Sequence, residues 1–181
     1  MAFGKAALFI DGVNLYYTAK SLGLDLDFKR LLTEFERRCP LLRAYYYTTV
    51  FEDAEFQTTR PLIDWLDYNG FTVKVKAAKE IDDGEGRRKS KSNVAVELAV
   101  DALEIASYVD KIVMFTGDGD FRPVIQAVQR RGVHVTVVSS MRSKPPMAAD
   151  ELRRQADTFL ELYDLRTSIC RAPDGNVRVR T

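Results

Sequence analysis

Short apolar segments alternate with segments of helical hydrophobic spacing along most of this 181-residue chain. The segments KAALFIDG, LLRAYYYTTV, FTVKVKAAKE, KIVMFTG and VHVTVVSS have the length and composition of strands. Most of the segments between them place apolar residues three and four positions apart, as helices do. This order predicts an α/β fold, with a mainly parallel sheet, helices on both faces and right-handed crossovers.

Three segments need separate predictions. Residues 80–92, EIDDGEGRRKSKS, are polar and contain glycine, so we expect a mobile loop. Residues 149–165 are predicted to form a final amphipathic helix, whose exposed apolar face would be compatible with a homodimer. Residues 166–181 have little periodicity, which leaves one domain over residues 1–165 followed by a C-terminal tail.

Composition excludes several classes of function. The formal net charge is +1, so any preference for nucleic acid must come from local patches. His134, the only histidine, lies in a predicted strand, which argues against Ser–His–Asp or Cys–His catalysis and histidine-rich zinc sites. Cys39 and Cys170 match no CxxC spacing and suit reduced thiols in a cytoplasmic protein. No segment resembles a signal peptide or a membrane span.

Carboxylates follow two of the predicted strands. Asp11 ends the first strand, and Asp118 and Asp120 follow the fourth in VMFTGDGDF. Ligands bind parallel sheets at the carboxyl ends of strands. If the first and fourth strands are neighbours, Asp11, Asp118 and Asp120 meet at that edge, and Asp101, on the preceding helix, could face the same edge. Such carboxylates repel one another, and Mg²⁺ or Mn²⁺ would relieve the repulsion. The alternative for each residue alone is structural: an N-cap for Asp11, Asp118 or Asp120, and a solvated helix position for Asp101.

Basic residues near these acids suggest a phosphate-containing substrate. Four of the five residues from 87 to 91 are basic, and this segment leads into the helix that carries Asp101. Lysine and arginine there would hold the phosphates beside a metal-bound one, although a solvated loop is the alternative. The candidate substrate-binding residues are Asn14, Arg87, Arg88, Lys89, Lys91 and Arg122. Tyr16, Tyr17 and Phe121 are candidates for stacking on bases or for core packing.

Three stretches of the sequence resemble the NYN domain of bacterial LabA-like proteins, which is related to PIN-domain nucleases. They are LFIDGVNLYY, KSNVAVELAVDALEIA and IVMFTGDGDFRPVIQAVQRRGVHVTVVS, and the resemblance runs from about residue 6 to residue 163. It implies a PIN-like three-layer α/β/α sandwich and a Mg²⁺- or Mn²⁺-dependent ribonuclease acting on single-stranded or short RNA. Asp11 and Asn14 fall on the family's first acidic motif, Asp101 on the middle helix, and Asp118 and Asp120 on the last acidic pair.

One position departs from the family pattern. The family commonly has an acid six residues before the position of Asp101, and this chain has Ala95 there. Either the protein has lost an acid or the chain has been altered to abolish activity, and in both cases metal binding or catalysis should be weakened.

Two alternatives to an active ribonuclease stay open. One is an inactive RNA-binding or regulatory module, which Ala95 favours. The other is a phosphatase, against which Val13 argues because phosphatases of this type have a second acid there.

Overall fold

The computed structural model describes residues 4–51, 54–78, 80–82, 88–90 and 94–171. Its strands are β1 (Ala6–Asp11), β2 (Leu41–Phe51), β3 (Phe71–Ala78), β4 (Glu80–Asp82), β5 (Arg88–Ser90), β6 (Lys111–Phe115), β7 (His134–Ser139) and β8 (Thr158–Glu161). Its α-helices are α1 (Gly12–Ser21), α2 (Phe28–Arg38), α3 (Ala54–Tyr68), α4 (Ala95–Ile105), α5 (Arg122–Gln129), α6 (Asp150–Gln155) and α7 (Arg166–Ile169). Two 3-10 helices, Gly119–Phe121 and Leu162–Leu165, precede α5 and α7.

The central sheet has six strands in the order β3-β2-β1-β6-β7-β8, and every neighbouring pair is parallel. The chain first adds strands on one side of β1 and then continues from β6 on its other side. The strand order therefore reverses between β1 and β6, which is where open parallel sheets bind ligands, beyond their carboxyl ends. The predicted α/β fold with a mainly parallel sheet is confirmed.

Two cores lie on the two faces of the sheet. Alternate residues of β1 point to opposite faces, so Ala7 and Phe9 enter one core while Leu8 and Ile10 enter the other, all fully buried. The first core includes residues of α4, α5 and α6, such as Leu98, Ile125 and Leu152. The second includes residues of α1, α2, α3 and α7, such as Leu15, Leu31, Leu66 and Ile169. This arrangement confirms the three-layer α/β/α sandwich.

The predicted final helix over residues 149–165 is wrong. Helix α6 ends at Gln155, and Ala156 has an extended backbone with ψ of 141°. Asp157 then fixes the chain beside β7, because its backbone N–H donates to the Val135 carbonyl (3.0 Å) and its carboxylate accepts from the Val135 N–H (2.7 Å). The following residues pair with β7 as β8, so a tertiary strand pairing overrides the local helical pattern. The helical face that suggested a homodimer is absent, and the homodimer stays a prediction.

Two other segments differ from their predictions in part. The predicted loop over residues 80–92 contains a short antiparallel pair, β4 with β5, while residues 83–87 and 91–93 lie outside the described residues. Residues 166–169, predicted as the start of a tail, form α7, and Ile169 is fully buried. Among the helices of the described residues, none combines the length and the hydropathy needed to cross a bilayer.

Burial of the central strand predicts a large stability effect. Ile112 on β6 is fully buried in the first core, so Ile112→Ala removes apolar contacts and leaves a cavity. We expect the free energy of unfolding to fall by about 2–5 kcal/mol in urea denaturation. Val100→Ala on the outside of α4, where the side chain is 48% exposed, is the control and should change it by less than about 0.5 kcal/mol.

Candidate active site

Asp11 occupies the point where β1 becomes α1. Its backbone is extended, and its Oδ1 accepts a hydrogen bond from the Asn14 N–H at 3.1 Å, which makes it the N-cap of α1. Its Oδ2 accepts from the Thr116 hydroxyl at 3.4 Å, a contact that reaches across to the segment after β6. The structural role considered for Asp11 therefore exists, and it holds the carboxylate at the boundary between β1 and β6.

Asp118 has the corresponding position after β6. Its Oδ1 accepts from the Asp120 N–H at 2.9 Å and caps the 3-10 helix that follows. Its own N–H donates to the Thr116 hydroxyl at 3.2 Å. The Gly117 N–H donates to Asn14 Oδ1 at 3.0 Å, so Asn14 and Thr116 together connect the two acidic loops.

Two glycines allow the close packing around these acids. A Cβ on Gly117 would lie 1.9 Å from the carbonyl oxygen of Met147. The carbonyl of Gly117 accepts a hydrogen bond from the Ala149 N–H at 2.8 Å. A Cβ on Gly12 would lie 2.5 Å from the hydroxyl of Tyr46. The loop after β7 and the side chain of Tyr46 therefore fix the backbone on either side of the acidic pair.

The surroundings of Asp11 disfavour its charged form. Burial raises the pKa of Asp11, and the nearby charge of Asp118 raises it further, while hydrogen bonds from Asn14 and Thr116 oppose the rise. Burial, together with the charge of Asp11, raises the pKa of Tyr46 to about 12. The Asp11 carboxylate is thus desolvated by burial and lies close enough to Asp118 to be repelled by its charge.

The oxygen donors of this pair suit a hard divalent cation. Mg²⁺ keeps several waters and needs only one or two carboxylates from the protein, and positive charge would offset the repulsion between Asp11 and Asp118. Within the described part of the chain, however, no three histidine, cysteine or acidic side chains are grouped as a metal site. A cation held here by Asp11 and Asp118 would therefore depend largely on water and substrate for its remaining ligands.

The predicted meeting of Asp101 with this pair stays a prediction, and the structure gives Asp101 partners on β2 and β3. Its Oδ2 accepts from the Tyr47 hydroxyl at 2.6 Å and lies 2.7 Å from Lys74 Nζ. Tyr47 is on β2 and Lys74 on β3, the second strand from β1, and strands lie about 4.8 Å apart. Asp101 therefore sits over the side of the sheet away from β6 and has a cationic partner of its own.

The other predicted site residues have varied positions. Asp120 is exposed in the 3-10 helix after Asp118, and Arg122 is exposed as the first residue of α5. Arg88 and Lys89 belong to β5. Arg87 and Lys91 lie outside the described residues.

Ala95 is the first residue of α4 and packs, half-buried, against the first core. Val94, which precedes it, makes no side-chain hydrogen bond to cap this helix. An acid at residue 95 would lie in the first helical turn, where the helix dipole favours negative charge. The position is therefore compatible with the acid that the family pattern would place there.

Sequence analysis missed three contributors to the site. Thr116 joins both acidic loops, and its place two residues before Asp118 is a Ser/Thr turn signal that could have been recognised. Tyr46 lies beneath Gly12, which only the pairing of β1 with β2 reveals. Glu151 of α6 places Oε1 2.5 Å from where a Cβ on Gly119 would be, and the mistaken long helix concealed this neighbour.

Comparison with known proteins agrees with this architecture. The NYN domain model matches residues 5–164. The chain belongs to the NYN domain family. The family is part of the PIN-like nuclease superfamily.

Two further comparisons agree with the family model. The chain is 35% identical over 175 residues to "Low amplitude and bright protein LabA" of Synechococcus elongatus, covering 93% of this chain and 90% of that protein. It is therefore a LabA-like NYN protein. A crystal structure of a Vibrio parahaemolyticus protein of unknown function has a TM-score of 0.72 and 25% identity, covering 88% of this chain and 93% of that one.

The raised pKa of Asp11 predicts that its charge costs stability. The folded chain binds this proton more tightly than the unfolded chain, so the free energy of unfolding falls as pH rises from about the ordinary pKa of 3.8 through the raised value. Asp11→Asn removes the charge and keeps a good N-cap. We expect the metal-free variant to have a higher Tm than wild type at pH 7, by about 2–4 °C for each 1 kcal/mol. The difference should shrink near pH 3.8, and an equal or lower Tm at pH 7 would contradict the raised pKa of Asp11.

The rise in Tm caused by Mn²⁺ should distinguish Asp118, a predicted metal ligand, from Asp101, which has a lysine partner. Mn²⁺ that binds only the folded chain raises Tm, so wild type should show a rise that Asp118→Asn loses. Asp101→Asn, the matched control, should lower the starting Tm because Lys74 loses its charged partner, and it should keep the Mn²⁺-dependent rise. Loss of that rise in Asp101→Asn would instead make Asp101 a metal ligand.

Proposed function

We propose that this protein is a metal-dependent ribonuclease that hydrolyses RNA phosphodiester bonds with Mg²⁺ or Mn²⁺, and that Ala95 weakens its activity. The observation that supports this most is the repelling pair Asp11 and Asp118 at the reversal point of strand order, beyond the carboxyl ends of β1 and β6. Membership of a nuclease-related family agrees with the proposal.

The residues of the site would have separate roles in binding the cation and the RNA. Asp11 and Asp118 would hold the cation, while Asn14 and Thr116 keep the two acidic loops together. A bound divalent cation supplies Lewis-acid chemistry at a phosphate. Hydrolysis adds the oxygen of water to phosphorus and breaks the bond to the leaving ribose oxygen, which takes up a proton. Arg122, exposed next to the 3-10 helix, is placed to bind a phosphate beside the one that reacts.

A second function, RNA binding without turnover, is favoured by one specific observation. Among the described residues no third acid joins Asp11 and Asp118, and the family position for a further acid holds Ala95. Two acids can hold a cation, and the cation can bind a phosphate, without the further acid that catalysis needs. On this account the protein would keep the RNA-binding surface of a nuclease and act as a regulatory module.

A substrate panel separates these functions from each other and from phosphatase activity. Short RNA, single-stranded DNA and a chromogenic phosphate ester are incubated with Mn²⁺ or with chelator, using wild type and Asp118→Asn. A ribonuclease cleaves RNA with Mn²⁺ alone and loses cleavage in Asp118→Asn. RNA binding without cleavage supports the regulatory module, and hydrolysis of the ester alone supports a phosphatase.

Restoring an acid at residue 95 predicts a gain of function. Ala95→Asp places negative charge in the first turn of α4, where the helix dipole tolerates it. We expect Mn²⁺-dependent RNA cleavage to rise by about 10-fold or more, which corresponds to about 1.4 kcal/mol of transition-state stabilisation. Ala95→Asn is the matched control, because it has a similar size without the charge and should give little gain. An unchanged cleavage rate in Ala95→Asp would make Ala95 irrelevant to catalysis.

A further inference from the structure

Helix α1 exposes an apolar and aromatic stripe to solvent. Val13 is 41% exposed, Tyr16 57% and Tyr17 56%, and Lys20 is also exposed. These residues are spaced i, i+3, i+4 and i+7, so they share one face of the helix. The tyrosine rings meet edge to face at 5.3 Å, and Lys20 Nζ lies 5.8 Å from the centre of the Tyr16 ring. We call Val13, Tyr16, Tyr17 and Lys20 the α1 stripe.

The α1 stripe starts at the acidic pair and follows the carboxyl edge of the sheet. Asp11 caps the first turn of α1, and Asn14 bonds to Gly117 after β6. At the other end, the Ser21 hydroxyl accepts from the Lys144 N–H at 3.1 Å, in the loop after β7. Ten residues of helix span about 15 Å. Both ends of α1 are therefore anchored to segments that follow central strands.

A basic cavity lies at the far end of the stripe. It has a volume of about 540 Å³ and is lined by Ser21, Leu22, Arg142, Lys144 and Tyr163. The guanidinium carbon of Arg142 lies 5.6 Å from the centre of the Tyr163 ring and that of Arg166 4.4 Å, while Arg142 also pairs with Asp164 at 3.0 Å. Lys144 is exposed and has no ion pair among the described residues. The cavity therefore combines an aromatic ring with cationic groups open to solvent.

We propose that the α1 stripe and the basic cavity form the binding track for unpaired nucleotides that continue from the acidic pair. The substrate class rests on the proposed function, while the track itself is argued from α1 and its neighbours. Exposed tyrosine rings stack on bases that are free of a duplex, and Lys144 and Arg142 attract the phosphates between them. A double helix has its bases already stacked and offers no free faces to Tyr16 and Tyr17, so the track selects single-stranded RNA.

Charge complementarity favours this occupant over a protein or a second copy of the chain. Lys20 and Lys144 accompany the tyrosines without an ion pair among the described residues, and Arg142 adds a guanidinium that pairs with Asp164. That distribution suits a polyanion that reaches a cation at Asp11 and Asp118 and continues over basic groups. The stripe also joins directly to the candidate active site through the N-cap of α1.

The test measures RNA binding in chelator, where cleavage does not interfere. Fluorescence anisotropy gives the Kd of wild type, Tyr16→Ala/Tyr17→Ala and Tyr16→Phe/Tyr17→Phe for a labelled single-stranded RNA and for a duplex of the same sequence. The control is Tyr68→Ala/Tyr108→Ala, which removes tyrosines that are 89% and 70% exposed away from α1. Circular dichroism and Tm check that each variant is folded.

We expect the alanine pair on α1 to weaken single-strand binding by about 10-fold or more, since each stacked base contributes strongly to affinity. The phenylalanine pair should keep affinity within about 3-fold because stacking needs only the ring. The control pair should bind as wild type, and wild type should bind the duplex more weakly than the single strand. Arg142→Ala/Lys144→Ala should lower the slope of log Kd against log salt concentration by about 1.4, or 0.7 for each lost phosphate contact.

Each outcome bears on the track separately from the nuclease proposal. Equal losses for the α1 pair and the control pair overturn the track, even if RNA is cleaved normally. Unchanged binding together with a changed oligomeric state, measured by light scattering, also overturns it and makes the stripe a protein interface. A selective loss in the α1 pair, with no cleavage by wild type or Ala95→Asp, supports the track and rejects the ribonuclease.

Discussion

The repulsion between Asp11 and Asp118 across the boundary of β1 and β6 is the constraint on which this site depends. Parallel pairing of the two strands brings their ends together, and hydrogen bonds through Asn14 and Thr116 fix the loops that carry the acids. Oδ1 of each carboxylate accepts a backbone N–H and caps a helix. Because the caps hold the acids in place, moving them apart cannot relieve the repulsion, whereas the cation of the proposed function would.

Two other acids of the domain have lysine partners that offset their negative charge. Asp101 and Glu97 on α4 pair with Lys74 and Lys76 on β3, so their charges are offset within the protein. The lysines lie two residues apart on β3 and the acids four residues apart on α4, so both ion pairs join α4 to the edge strand of the sheet. Of these four acids, Asp101 and Glu97 have a cationic partner on β3, whereas Asp11 and Asp118 have no ion pair among the described residues.

Much of this structure could be predicted from sequence, because local patterns and pairing agree over most of the chain. The strands ending at Asp11 and preceding Asp118 follow from their apolar runs. That they are neighbours was only a condition of the predicted site, and the parallel pairing of β1 with β6 shows it. The place of Asp101 could not be predicted, since it depends on which strand α4 crosses and on Lys74 opposite. The strand at Thr158–Glu161 was also hidden, because its residues continue a helical pattern and only Asp157 bonding to Val135 diverts them.

Asp11 couples the two halves of the proposed machinery because it has two roles. Through Oδ1 it fixes the first turn of α1, which carries Tyr16 and Tyr17, and through Oδ2 it faces Thr116 and the acidic loop of Asp118. A substitution that removes the cap would disturb α1 as well as the acidic pair. With alanine at this position, an effect on RNA binding could not be distinguished from an effect on metal binding. Asparagine retains the capping oxygen, removes the charge and replaces Oδ2, which accepts from Thr116, by an amide donor. The geometry of one side chain therefore decides which substitution can separate binding from chemistry.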